Sequence, residues 1–205
     1  MSIVKLNNNG VKNATSFGSV SSGAMTFIKK LTASSSGTLS FVDGSSDVVL
    51  DNTYKEYLFT FNNIHPATDC AKFQVNFRDG GSDYDASKTT THFRSLHYED
   101  GTTAAEITYL TATDLANGTG SQSIAQNIGN DNDQSASGEL LLFNPSSTTF
   151  VKHFLSRSIC NGNANYAQEI YAAGYCNTTT AIDGVQFSMT SGNIDAGDIC
   201  LYGIN

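Results

Sequence analysis

The residues of this chain most able to do chemistry are carboxylates in close clusters. Asp79, Asp83 and Asp85 share one glycine-bearing stretch, DGGSDYDASKTTT, and Asp131 and Asp133 share another. Acidic residues spaced by two can gather oxygens around a hard cation such as Ca²⁺, which takes roughly six to eight of them. The second cluster, DNDQSASGE, has Ala136 where an EF-hand loop needs its turn glycine. Residues of this kind also serve as solvated turns that bond their own backbone. No metal is expected. Glycoside hydrolysis needs two carboxylates at a set distance across a cleft, and the E-x-D-x-E strand signature of lectin-like glucanases is absent.

The four histidines, His65, His92, His97 and His153, show no metal-ligand spacing. His92 and His97 fall on opposite faces of any strand that holds both. No G-x-S-x-G occurs, and no cysteine lies near a histidine in a nucleophile pattern. No catalytic residue and no cofactor is expected, so the chain is not read as an enzyme. Sugar binding has a better case, because it needs only aromatic faces and short polar side chains on loops. Asp83, Tyr84 and Asp85 are the candidate ligand-binding residues, with a glycan as the ligand. The absence of Trp removes the commonest stacking platform, and Tyr166, Tyr171 and Tyr175 suit buried or interface positions equally well. Cys70, Cys160, Cys176 and Cys200 are widely spaced with no C-x-x-C, which fits reduced thiols acting as small apolar residues.

A chain of 205 residues supports one sizeable core. Its net charge of −8 and scattered basic residues argue against a nucleic-acid partner. No apolar run reaches the ~20 residues of a membrane-spanning helix, and MSIVKLNNNG lacks the apolar stretch of a secretory signal. The expectation is assembly in a cytoplasm without membrane insertion.

Gly, Ser, Thr and Asn punctuate short apolar runs throughout. Strands are expected near residues 25–31, 38–42, 48–50, 54–61, 72–78, 92–99, 106–110, 167–176, 184–190 and 197–204, with residues 62–69 as a connection. Residues 73, 75 and 77 (Phe, Val, Phe) alternate with polar neighbours, as in a half-buried antiparallel strand. Phe59, Phe61, Phe73, Val75, Phe77, Val185, Phe187 and Met189 are the expected core. Residues 121–128 carry Ile124 and Ile128 at helical spacing and suggest one or two helical turns. The fold class is all-β: an antiparallel β-sandwich or barrel over residues 23–205, preceded by an extended N-terminal arm, residues 1–22. That arm is polar, with Ile3, Val4, Leu6, Val11, Phe17 and Val20 as its sizeable apolar anchors beyond Met1.

Residues 138–159 read as a hairpin around a type I turn at Asn144-Pro145-Ser146-Ser147. Leu140, Leu141, Leu142 and Phe143 are consecutive, so a strand points them to both faces. One face enters the core; the other needs a second cover, and these four residues are the candidate oligomer interface.

The stretches NPSSTTFVKHF, AGYCNTTTAIDGVQFSMTSGNIDAGDICLYGI and YKEYLFTFNNIHPATD resemble a family of virion proteins from tailed bacteriophages, those of marine bacteria especially. The resemblance covers most of residues 20–205. It implies an antiparallel jelly-roll-like β-sandwich and a structural or appendage protein of the virion, whether tail fibre, decoration or other particle-surface component. It further implies a homotrimer, arm contacts with other virion proteins, and attachment to a host. A carbohydrate-binding module that contacts host surface polysaccharide is the alternative.

Overall fold

The computed structural model describes residues 24–205, and the regular structure among them is β. The strands in chain order are β1 (Met25–Thr32), β2 (Thr38–Val42), β3 (Glu56–Pro66), β4 (Ala71–Arg78), β5 (Lys88–Tyr98) and β6 (Glu106–Tyr109). They continue with β7 (Gln122–Ile128), β8 (Ala136–Phe143), β9 (Lys152–Gly162), β10 (Tyr166–Cys176), β11 (Gly184–Met189) and β12 (Ile194–Ile204). Eight of these form two four-stranded antiparallel sheets, β1-β12-β3-β8 and β2-β11-β4-β7. The partners nest, first with last and second with second-last, as when one long hairpin is wound upon itself. This is the order of a jelly roll.

The other four strands are two inserted hairpins. β5–β6 lies in the connection from β4 to β7, and β9–β10 in the connection from β8 to β11. β9 adds to β8, β10 pairs β9, and β5 pairs β10 over Lys88–Tyr98 and Tyr166–Cys176. The first sheet thereby grows to β1-β12-β3-β8-β9-β10-β5-β6, twice the width of the second. β7 meets β9 at one pair, Ile128 with Gly162, which nearly closes the sandwich.

The core lies where the two four-stranded sheets face each other. Phe73 stacks on Phe187 at 5.6 Å between ring centres and meets Phe61 edge-on at 5.2 Å, while Phe41 meets Phe59 at 5.3 Å. All eight expected core residues are buried there. Gly138 lets β8 pass close to β9, since a Cβ at this position would strike the Arg157 carbonyl and the Phe61 ring.

Several local expectations are corrected. Residues 122–128 are strand β7, not helical turns. The strand is buried on both faces, and its register against β4 slips twice, between Ala71 and Phe73 and between Phe73 and Gln74. Ile124 and Ile128, four apart, share a face of a strand as they would of a helix, so their spacing does not distinguish the two. Residues 62–66 continue β3 rather than ending it: a bulge with Asn63 at φ 51° takes up the extra residue, and Pro66 sits at the strand end, where no donor is needed. Residues 48–50 are not a strand; Val48 and Leu50 are buried, and the Leu50 N–H donates to Asp43 Oδ1 at 2.8 Å. The expected arm, residues 1–22, lies outside the described residues.

Replacing Phe73 by Ala is expected to cost about 3–5 kcal/mol, because a fully buried ring between Phe61 and Phe187 would be removed. Urea denaturation of the variant and the parent checks this; a change under about 1 kcal/mol would contradict the packing described.

Candidate functional site

The extension β9-β10-β5-β6 buries polar residues among apolar ones and exposes large apolar side chains. Its inner face, turned toward β7 and residues 110–121, carries Lys88, Thr90 and His92 on β5, Lys152, Ser156 and Ser158 on β9, and Gln168 on β10, all buried. Its outer face carries Phe93, Ile107, Tyr109, Leu155 and Ile159, which are 39%, 82%, 50%, 52% and 50% exposed. Strand alternation sets Phe93 next to inward His92 and Leu155 and Ile159 next to inward Ser156 and Ser158, while Phe154, Cys160, Ile170 and Ala172 also point inward.

Register turns these residues into rows across the sheet. One row runs Phe27, Tyr202, Leu58, Leu141, Leu155, Ala173 and Thr91, each paired with the next on seven neighbouring strands. The adjacent row runs Glu139, Arg157, Tyr171, Phe93 and Tyr109. In it Phe93 and Tyr171 stack at 4.8 Å with 9° between ring planes. Arg157 lies 5.5 Å from the centre of the Tyr171 ring and is held by Glu169, its nitrogen 2.5 Å from Oε1. Tyr171 is thus flanked on β10 by Phe93 on one side and Arg157 on the other.

Between the rows the small residues Ala173 and Thr91 floor a depression of about 370 Å³ walled by Phe93, Tyr171, Leu141 and Leu155. It adjoins a second of about 500 Å³ bounded by Phe143, His153 and Tyr175.

The polar inner layer is nearly saturated with hydrogen bonds. Thr90 donates to Gln122 Oε1 at 2.6 Å, Gln126 donates to the Thr113 hydroxyl at 2.9 Å, and His92 Nδ1 is 2.7 Å from that hydroxyl. His92 Nε2 has no partner among the described residues. Lys88 donates to Asn76 Oδ1 at 2.5 Å and the Ala86 carbonyl at 2.6 Å. Lys152 donates to the Thr178 and Thr180 carbonyls at 3.1 and 2.5 Å. Cys176 pairs with both lysines across neighbouring strands. Burial pulls Lys88 down to about 8 and His92 down to about 4, and pushes Cys160 and Cys176 up to about 12. Such thiols lack the thiolate that reactivity requires. These groups fasten loops to the extension.

The loop candidates are placed elsewhere. Asp83 and Asp85 are exposed on the β4–β5 connection, with Ser82 bonded to Asp83 at 3.2 Å. Tyr84 is half-buried beside Gly184 and Arg78, and Arg78 pairs with Asp183 at 2.8 Å. None of the three lines the depressions above. The clusters Asp79, Asp83, Asp85 and Asp131, Asp133 do not form a metal-binding group, and none exists among the described residues. Of the four interface candidates, Leu140 and Leu142 are fully buried in the chain's own core, which takes them out of any surface. Leu141 and Phe143 are half-buried and face outward. Sequence reasoning missed Phe93, Leu155, Ile159 and Ile107. A signal was present in KHFLSRSICNG, where Leu155 and Ile159 alternate with Ser156 and Ser158.

The His92 environment fixes a pH response. Its folded value of about 4 lies below the ordinary 6.5, so the unfolded chain takes up the proton first. Stability is therefore expected to fall as pH drops from about 6.5 to about 4, by on the order of 3 kcal/mol from this residue. Lys88, with a folded value of about 8 against 10.5, adds stability as pH rises through that window. Calorimetry across pH checks the acid limb: His92→Asn should flatten it, and an unchanged slope would contradict the assignment.

No family model, no curated protein and no solved structure matches the chain.

Proposed function

We propose that this chain is a structural or appendage protein of a bacteriophage virion, a tail fibre, decoration or other particle-surface component that acts by oligomeric assembly. Its localisation is the virion, assembled in the host cytoplasm. Two things support the reading: the resemblance carried by residues 54–69, 144–154 and 173–204, and the apolar outer face of the extended sheet. The single observation that carries the assembly part is the set of exposed apolar side chains on that sheet's outer face, Phe93, Ile107, Tyr109, Leu155 and Ile159. Large exposed apolar faces on soluble proteins usually mark interaction surfaces. The arm, residues 1–22, is the proposed link to other virion proteins, and the closed homotrimer is the assembly that the resemblance implies.

The alternative, a carbohydrate-binding module, finds less support in the geometry. A sugar stacks on an open aromatic face, whereas Tyr171 is flanked by Phe93 and Arg157, and Tyr84 lies against Gly184 and Arg78.

Antibody labelling of particles purified from a lysate in which the chain is made tests the proposal. Label on the particles in electron micrographs, at regular positions, is the expected result. Label confined to the soluble fraction would sink it. Retention of the isolated protein on immobilised host polysaccharide, absent from the particle, would replace it by the carbohydrate-binding reading.

A further inference from the structure

We propose that the outer face of β8-β9-β10-β5-β6 is covered by the same face of a second copy of this chain, related by a two-fold axis. The inference rests on the reading that the chain acts by self-assembly, and it names the surface and the symmetry. Four observations carry it.

The first is area. Five strands spaced ~4.8 Å apart, the longest ~36 Å, present on the order of 700 Å². A standard interface buries about 800 Å² per partner. The face falls slightly below that mean and within the range of about 600–1,000 Å² per partner that specific interfaces bury.

The second is shape. The row of Arg157, Tyr171 and Phe93 stands beside the row of Leu155, Ala173 and Thr91, so a ridge of large side chains runs next to a depression floored by small ones. A two-fold axis lying between the two rows sets the ridge of each copy into the depression of the other. A face carrying both halves of the match is self-complementary, which is what an isologous contact requires.

The third is charge. Glu139 forms no ion pair among the described residues, and it stands next to Arg157 in the cross-strand row. Arg157 is 63% exposed at its side chain and engages Glu169 alone among carboxylates. The two-fold placement sets Glu139 of each copy over Leu141 of the other and Arg157 over Leu155, so the unlike charges of the two copies lie on neighbouring strands across the contact.

The fourth is rigidity. Phe93, Tyr171 and Arg157 are already packed upon one another. An anchor of aromatic and arginine side chains that is ordered before contact loses little entropy on binding. Edge-to-edge pairing is less suited, because β6, the outermost strand, spans only Glu106–Tyr109.

Light scattering on the full chain tests the proposal. The wild type at tens of micromolar should have twice the mass of the 21.8 kDa chain. Leu155→Glu, at a half-exposed position where the fold tolerates a charge, should weaken association at least about 30-fold. Circular dichroism should show that this variant stays folded. Thr38→Glu, exposed on the second sheet, should leave the mass unchanged. A wild type that is monomeric at 100-fold higher concentration would overturn the proposal. So would an oligomer, a trimer included, that persists in Leu155→Glu. Either result alongside labelled particles would refute this interface and leave the virion reading standing; unlabelled particles with an intact Leu155-dependent dimer would do the reverse.

Discussion

The ladder between β5 and β10 is the contact on which the rest of the molecule depends. The two strands belong to hairpins inserted in different connections of the jelly roll, and Lys88–Tyr98 runs against Tyr166–Cys176 without a register shift. β9 is anchored to β8 in any case. Without the β10 ladder, however, β5 and its short companion β6 would have no sheet to join. With it, the first sheet has eight strands facing a second sheet of four. The mismatch decides what covers what: the inner side of the extension has as its lid β7, Asn76 and Phe77 of β4, and loop segments.

That lid explains the chemistry of the inner layer. Loops and a doubly bulged strand bring many backbone carbonyls and short polar side chains, and these need partners when buried. Lys88, Thr90, His92 and Lys152 supply them, at the cost of taking two ammonium groups out of water. The depressed values of Lys88 and His92 are the mark of that cost. In return the extension is tied to the loops by directional bonds. These hold a unique register where a purely apolar filling would tolerate slippage.

The same alternation places Phe93, Leu155 and Ile159 outside, where no described strand covers them. A second copy would satisfy this face without adding another protein. The pre-stacked Phe93 and Tyr171, braced by Arg157, give it a firm centre.

The amino-acid sequence by itself determined the strands with clean alternation and the core they share. Phe73, Val75 and Phe77 on β4, and Val185, Phe187 and Met189 on β11, could be assigned because a period of two with one solvated face has a single solution. It also determined the turn at Asn144-Pro145-Ser146-Ser147, where the Ser147 N–H donates to the Asn144 carbonyl at 3.1 Å. Only the tertiary structure decided the course of β7 and the bulge in β3, because burial on both faces and an inserted residue erase the period. It alone decided that Leu140 and Leu142 belong to the core while Leu141 and Phe143 look outward, since four consecutive apolar residues carry no phase. The outer face itself came from pairings between residues far apart in the chain: Tyr171 meets Phe93 and Arg157 only once β10 lies between β5 and β9. No local pattern encodes that neighbourhood, because it follows from which strand edges remain open after the jelly roll has closed.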